Sequence, residues 1–439
     1  MSIKKFLLIF ALFLIAPAAF AVNREDLNIE FFDRFNDNCL NYYIIAALDN
    51  NHDAKQASAR VEQYRQQVKY SFGAELPSFS VSANYLGVHV PRLDNFQLSQ
   101  NAFVLPFIMN YEADFLLKNR DKTKSAKKNY EAMQYEEKAV YLSLLSDVAT
   151  VYTNILQYDE LIKSQSQIVR ISHAVFEADK KKFARGVIDN TELSNSAQNL
   201  EAAKNELQSL CKQRENLLMQ LAVLTGMSPA CIRDLKRGNL ASFEYQKTIP
   251  DTVASDVIFS RPDVMSAERM LEKAKIDVRV ARKEFLPTFN ITGVWIFNTI
   301  APGNFFSWES SLAAIFAGAT QDIFKGGRKI ANLRMQKAKY TELFESYKQT
   351  DLEAVKEVNT SLCFIKHDTL IDNNTTAKMN YEIQKFADAQ KKYNRGVISS
   401  PDYLNAQSKF LLQKKETAQT KAQRLVNYFT LYKAVGGKL

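Results

Sequence analysis

Leu76-Pro77-Ser78-Phe79-Ser80-Val81-Ser82-Ala83-Asn84-Tyr85 opens one half of this 439-residue chain; Leu286-Pro287-Thr288-Phe289-Asn290-Ile291-Thr292 opens the other. The two starts lie 210 residues apart. Asp53 and Ala57 return at the same shift as Asp263 and Ala267, and Arg185-Gly186-Val187-Ile188 returns as Arg395-Gly396-Val397-Ile398. One such match could be chance. Three at a constant offset argue for a duplicated unit. The first copy is placed at 22–240 and the second at 262–439, with a linker at 241–261 around Pro250.

Working outward, each proline closes a charged, alanine-rich helical stretch, 41–73 and 262–285, because the residue before proline resists the helical conformation. Alternation follows. Phe79, Val81, Ala83 and Tyr85 oppose Ser80, Ser82 and Asn84; Phe107, Met109, Tyr111, Ala113 and Phe115 oppose Ile108, Asn110, Glu112 and Asp114. A period of two sends these sets to opposite faces of a strand. One apolar and one polar face suits either a sheet over a core or a barrel wall between lipid and water. Strands are expected at 77–90, 103–116, 287–299 and 307–323.

Beyond the strands, Lys122–Phe183 and Lys329–Asn394 contain neither proline nor glycine. Helices are expected at 121–184, 190–226, 328–393 and 400–435, the longest roughly 95 Å if unbroken. Leu193, Leu200, Leu207 and Leu221 share one seven-residue register; Leu404, Leu411, Ala418 and Leu425 share another. Such spacing packs helices as coiled coils. Gly186 and Gly396 permit the reversals between helices, with Asn190 and Ser400 expected as caps and Pro401 in the first turn.

At the N-terminus, Lys4-Lys5 precede an apolar run from Phe6 to Ala16, and Ala19-Phe20-Ala21 has small residues at both ends. This reads as a cleaved secretory signal peptide, 1–21. No later stretch of 18 apolar residues is found, so membrane entry calls for strands. The net charge of +9 falls to +7 without Lys4 and Lys5, and along the sequence it looks spread, with no compact basic patch. Lys180-Lys181-Lys182 reads as a solvated helix face, so no nucleic-acid partner is expected. Cys211 and Cys231 are too far apart along the helix and its return to favour a disulfide. His52, His89, His173 and His367 are dispersed, and Lys325-Gly326-Gly327-Arg328-Lys329 lacks phosphate-loop spacing. No catalytic residue, metal site or cofactor is expected, and the chain reads as a conduit rather than an enzyme.

The leader, the duplicated helix-strand-strand-helix-helix units, the two Arg-Gly-Val turns and Phe324-Lys325-Gly326-Gly327-Arg328 together resemble the TolC family of outer-membrane efflux proteins. Leu116-Leu117-Lys118-Asn119-Arg120 is a weaker first-copy counterpart. The resemblance implies a mainly α fold with a transmembrane β-barrel part. It implies a homotrimer whose twelve-stranded barrel continues into a long α-helical periplasmic tunnel. Four strands cannot close a barrel alone, so sharing between chains is expected on physical grounds as well. It also implies an outer-membrane exit duct of a tripartite efflux system for small toxic molecules, served by a periplasmic adaptor and an inner-membrane pump. A protein-secretion channel is the close alternative, and a structural coiled-coil surface protein the distant one. Arg185, Gly186, Val187, Ile188, Arg395, Gly396, Val397 and Ile398 would form the adaptor-contacting tip. Asp402 and Asn405, with Glu192 and Asn195 in the first copy, would line the periplasmic gate. The family carries two acids where this chain has Asp402 and Asn405. Asp402 also suits the start of a helix, where the dipole favours a carboxylate.

Overall fold

The computed structural model describes residues 27–93, 96–230, 235–250, 252–299, 308 and 311–438. The expected signal peptide, Cys231 and part of the expected 307–323 strand lie outside these. Cys39, Cys211 and Cys363 are free thiols.

The chain runs α1 (Glu30–Asp33), α2 (Asn38–Asn50), α3 (His52–Gly73), β1 (Ser78–Val81), β2 (Asn84–Leu93), β3 (Phe96–Ala113), α4 (Lys118–Ala184) and α5 (Asn190–Leu224). It continues with α6 (Ser255–Phe259), α7 (Pro262–Lys283), β4 (Thr288–Thr299), β5 (Ser311–Thr320), α8 (Arg328–Asn394) and α9 (Ser400–Ala434). The duplication is visible in the lengths: α4 and α8 have 67 residues each, α5 and α9 35 each. At 1.5 Å per residue, the longer pair are each roughly 100 Å long.

Two departures from the expected elements have local causes. The 41–73 helix is broken at Asn51, whose side-chain Oδ1 accepts from the Ala54 amide at 2.9 Å and starts α3 afresh. The 77–90 strand is split into β1 and β2. Ser82 sits opposite Pro106 and donates to its carbonyl at 3.2 Å. Pro106 has no N–H to return, so the ladder is interrupted there.

β1 and β2 lie end to end along β3, and the sheet continues antiparallel through β4 and β5. Among the described residues it therefore has four strand positions and two open edges. Register puts Phe79, Met109, Gly293 and Ile315 abreast on one face, then Val81, Phe107, Trp295 and Ala313. Those two rows are apolar, with Trp295 and Phe297 rings 4.7 Å apart, while Ser311 and Thr299 share the face farther along. The other face is mixed: Ser78, Asn110 and Thr292 stand abreast with Phe316, and Glu112 beside Asn290, while Ile108, Val294 and Ala314 form an apolar row on it.

The chain forms two compact units. The first takes the described residues within Met1–Ala59, Tyr135–Val264 and Asp351–Leu439; the second takes those within Arg60–Gln134 and Met265–Thr350. Each draws on both sequence copies. In the first, Phe31, Phe32, Phe35, Phe243, Phe429 and Tyr432 are fully buried together, with Phe31 and Tyr432 stacked at 4.8 Å. The connection after α5 is thus irregular but docked: Phe243 enters this core, and Lys421 donates to the Ala241 carbonyl at 2.8 Å. One window of α4 is apolar enough to cross a membrane, but 61% of it is buried in the fold. Tyr152, Ile155 and Leu156 spend that apolarity on packing.

The second unit holds the sheet and the helix ends next to it. Asp121 receives Arg279 at 2.7 and 2.9 Å and Lys283 at 2.7 Å. Burial opposes its ionisation, yet those hydrogen bonds outweigh burial and hold its carboxyl below the usual carboxylate range. The even spread of charge expected from the sequence is overturned here. Folding gathers residues 114–128, 273–287 and 321–339 beside the strand ends, and these carry 17 basic against five acidic residues. Linear spacing hid the concentration because the three stretches come from distant parts of the chain.

Candidate functional site: the hairpin tips and the sheet wall

The turn of each long hairpin is built by its sequence in the same way. Gly186 and Gly396 take φ of +69° and +71°. The Val187 N–H reaches back to the Lys182 carbonyl at 2.9 Å and the Gly186 N–H to Phe183 at 2.9 Å; Val397 to Lys392 and Gly396 to Tyr393 repeat both. This is the six-to-one, five-to-two closure that ends a helix on a left-handed residue, and glycine meets that requirement without a Cβ clash. Space around both glycines is open. Val187 and Val397 are 69% and 67% exposed, although each is apolar. Arg185 and Arg395 are exposed beside them, while Ile188 and Ile398 are half-buried.

The caps differ from expectation by one residue. Asp189, not Asn190, caps α5 by accepting from the Glu192 amide at 2.8 Å. Ser399, not Ser400, caps α9. Ser399 and Asp402 form a capping box: the Asp402 amide donates to Ser399 Oγ at 3.4 Å, and the Ser399 amide to Asp402 Oδ2 at 3.3 Å. Asn190 and Ser400 are already the first helical residues. The missed signal was a three-residue spacing, Asp-x-x-Glu and Ser-x-x-Asp, which marks the start of a helix. Pro401 lies in the first turn as expected.

Of the gate candidates, Asp402 is therefore engaged with its own helix start. Glu192, Asn195 and Asn405 are exposed. The structure brings the two hairpins together through their shafts. Ile168 and Ile171 of α4, Ala203 of α5 and Leu411 of α9 form one buried cluster, with Leu404 and Phe410 against it. Lys415 donates to Gln165 at 2.9 Å, and Gln165 to the Ala203 carbonyl at 3.0 Å. An aromatic ladder runs along the second tip: Tyr393 stacks on Tyr403 at 4.7 Å, Tyr403 on Phe386 at 5.8 Å, and Phe386 on Phe410 at 5.1 Å. The corresponding first-copy positions hold Phe183, Leu193, Phe176 and Leu200.

Tip and sheet supply complementary surfaces. The tips offer an apolar point flanked by cations. The sheet offers one face fit for hydrocarbon and one face with polar positions fit for water, as in a barrel wall. Among the described residues no cluster of metal-ligating side chains is found.

Comparison with known proteins agrees with this geometry. The model of a family described as outer membrane efflux protein matches residues 44–227 and 253–437. The cation efflux system protein CusC of Escherichia coli K12 is 23% identical over 420 residues, covering 92% of this chain and 87% of that protein. The outer membrane protein OprJ of Pseudomonas aeruginosa is 24% identical over 404 residues, covering 89% and 82%. The solved CmeC outer membrane channel of Campylobacter jejuni superposes with a TM-score of 0.86 at 24% identity, covering 96% of this chain and 93% of that one. Covering nearly the whole chain, this likeness shows the fold, a mainly α architecture with a barrel-type sheet. With both copies of the repeat matched and an apolar sheet face made for lipid, the chain belongs to the outer membrane efflux protein family and is an exit duct of the outer membrane.

Proposed function

We propose that three copies of this chain close a single barrel and that a periplasmic adaptor and an inner-membrane pump deliver small toxic molecules into it. The observation that carries the proposal is the sheet, which among the described residues has four strand positions and two unpaired edges, β1/β2 on one side and β5 on the other. In lipid, each open edge strands a row of backbone donors and acceptors. Pairing the β5 edge of one chain with the β1/β2 edge of the next satisfies both. Three chains then give a twelve-stranded barrel, and the long hairpins continue it as a helical tunnel in the periplasm.

The tips are the adaptor contact in this reading. Two apolar valines stand exposed beside Arg185 and Arg395, a pairing suited to a partner surface with an apolar notch and a carboxylate rim. Asp402, Asn405, Glu192 and Asn195 face the narrow end of the tunnel. Threefold repetition of Asp402 would make a ring of three carboxylates that attracts cations. No step of chemistry is assigned to the chain; movement is driven by the pump.

Purified protein in planar bilayers should conduct as a trimer. Gly396→Pro, which cannot adopt φ of +71° and loses the amide bond to Tyr393, should abolish export while trimers persist in the outer membrane. Arg395→Glu should do the same. Normal export by both variants removes the tip assignment. Unchanged block of conductance by divalent cations in Asp402→Ala leaves that residue as a cap alone.

A further inference from the structure

We propose that the three basic stretches beside the strand ends form a cationic collar that binds the headgroups of anionic phospholipid in the leaflet facing the periplasm. The proposal rests on the outer-membrane channel reading above. It goes beyond that reading in naming a second partner surface and the chemistry it recognises.

The first observation is the amount of charge. Residues 114–128, 273–287 and 321–339 carry a net +12 between them, more than the +9 of the whole chain, so the remainder is net acidic. Part of this charge is compensated, as at Asp121 and at Asp322, which holds Lys325 at 2.7 Å and Lys329 at 3.2 Å. Arg120, Lys122, Lys275, Arg282, Arg328 and Lys337 are exposed and have no carboxylate partner among the described residues. Arg282, Arg279, Lys275 and Lys337 line one groove of about 510 Å³ between α7 and α8. Like charges so gathered repel one another.

The second observation is that the charge opposes the local backbone field. A helix start carries positive partial charge and favours acids. α8 instead starts with Arg328-Lys329 and has no acid in its first turn. Repulsion and dipole both disfavour this arrangement in the isolated chain, and an anionic partner would offset both.

The third observation fixes the place. Ile323 and Phe324 are 96% and 86% exposed, and Phe115 is 74% exposed. They sit between the strand ends and the helix starts. Large apolar side chains at this level mark the edge of the hydrocarbon in a barrel. Arg328 follows Phe324 by four residues, and Arg120 follows Phe115 by five. The cations are thus at headgroup depth, where a lysine or arginine near an anionic surface is attracted within a Debye length.

The test uses the full-length protein in nanodiscs of equal parts phosphatidylglycerol and phosphatidylcholine. Lipids retained after mild detergent extraction are identified by native mass spectrometry. Phosphatidylglycerol should be enriched by about tenfold, with the enrichment falling as salt is added. Arg120→Gln, Lys122→Gln, Arg328→Gln and Lys337→Gln combined should abolish the enrichment. Neutralising Lys180, Lys181, Lys391 and Lys392 near the tips should leave it intact. Equal retention of both lipids by the unaltered protein, or equal loss in the tip control, overturns the collar. If neutralising the collar moves the anion-to-cation permeability ratio in planar bilayers but leaves lipid retention unchanged, these cations line the lumen and the proposal fails. Absence of conductance in the unaltered protein would count against the duct itself; conductance without lipid preference counts against the collar alone.

Discussion

The two copies of the repeat face one problem at the same place and solve it with different chemistry. Each long hairpin ends at a helix whose last carbonyl needs a donor. In the first copy Asn51, 3% exposed, donates from Nδ2 to the Leu224 carbonyl at 2.9 Å. In the second, Arg261, 6% exposed, donates from Nη1 to the Ala434 carbonyl at 2.9 Å. Both bridges span 173 residues, and all four partners obey the 210-residue shift. The backbone around them is matched too, with Gly226 and Gly436 at φ of +68° and +64°. What has diverged is the rest of the donor. Asn51 turns its oxygen to cap α3, whereas Arg261 also holds Asp263 at 2.6 and 3.0 Å and Glu357 at 2.8 Å. Duplication has preserved a demand of the backbone, an unpaired carbonyl beside a left-handed glycine, and not the residue that meets it.

Removing each donor should therefore cost different amounts. Arg261→Ala leaves two carboxylates and a buried carbonyl without their partner, a loss of about 3–5 kcal/mol for a fully buried pair. Asp263 and Glu357 are 41% and 55% exposed and can turn to water, so about 3 kcal/mol is expected. Asn51→Ala loses one buried hydrogen bond and one cap, about 1–2 kcal/mol. Urea denaturation in detergent, followed by circular dichroism, measures both. Equal losses would mean that the charged network adds nothing to the shared bridge.

The glycines sharpen the same comparison. A Cβ on Gly226 would meet the Asn50 carbonyl oxygen at 2.6 Å, and backbone there cannot withdraw. A Cβ on Gly436 would meet Pro262 Cδ at 3.2 Å. Both substitutions carry the left-handed penalty of about 1–2 kcal/mol. Gly226→Ala should therefore be the more destabilising of the two, by about 1 kcal/mol or more. Similar midpoints would show that the α2–α3 corner yields freely.

How much of this could be read beforehand depended on whether the signal was local. The 210-residue shift, Pro77 and Pro287, and the glycine turns at 186 and 396 are local signals, and the element order followed from them. Alternation in 79–85 was also local, but its break was not, because it comes from Pro106 in the facing strand. The Asn51 and Arg261 bridges were illegible for the same reason, each joining residues far apart in sequence. The tip turns were legible as reversals. Their caps were misplaced by one residue because Asn190 and Ser400 are good cap residues standing next to better-placed ones. The collar was hidden most completely, since a net charge counted along the chain says nothing of which stretches end at the same level.

Two helix starts in the second unit differ in a way that pH reveals. α4 has an acid in its first turn, Asp121, answered by Arg279 and Lys283, whereas α8 has none. Because the folded carboxyl of Asp121 is held below its usual range, its contribution is present above the unfolded carboxylate range and is lost as pH falls through the folded value. Asp121→Asn should thus lower the denaturation midpoint at neutral pH and change it little in strong acid. An equal drop at every pH would assign the residue a packing role instead.

The smallest expected effect concerns the tips, where the copies are most alike. Asp189→Ala removes one acceptor for the Glu192 amide; Ser399→Ala removes half of a capping box and leaves the Asp402 carboxylate with only the Ser399 amide. Either should cost about 1 kcal/mol. Their consequences for mobility should differ nonetheless. The second tip retains the Tyr393–Tyr403–Phe386 stack after its cap is gone, while the first has leucine at 193 where the second has Tyr403. Amide hydrogen exchange at Thr191–Leu193 should therefore rise further in Asp189→Ala than exchange at Asp402–Leu404 rises in Ser399→Ala. If both segments exchange alike, the aromatic ladder does not stiffen the second turn, and the two tips are mechanically equivalent despite their different side chains.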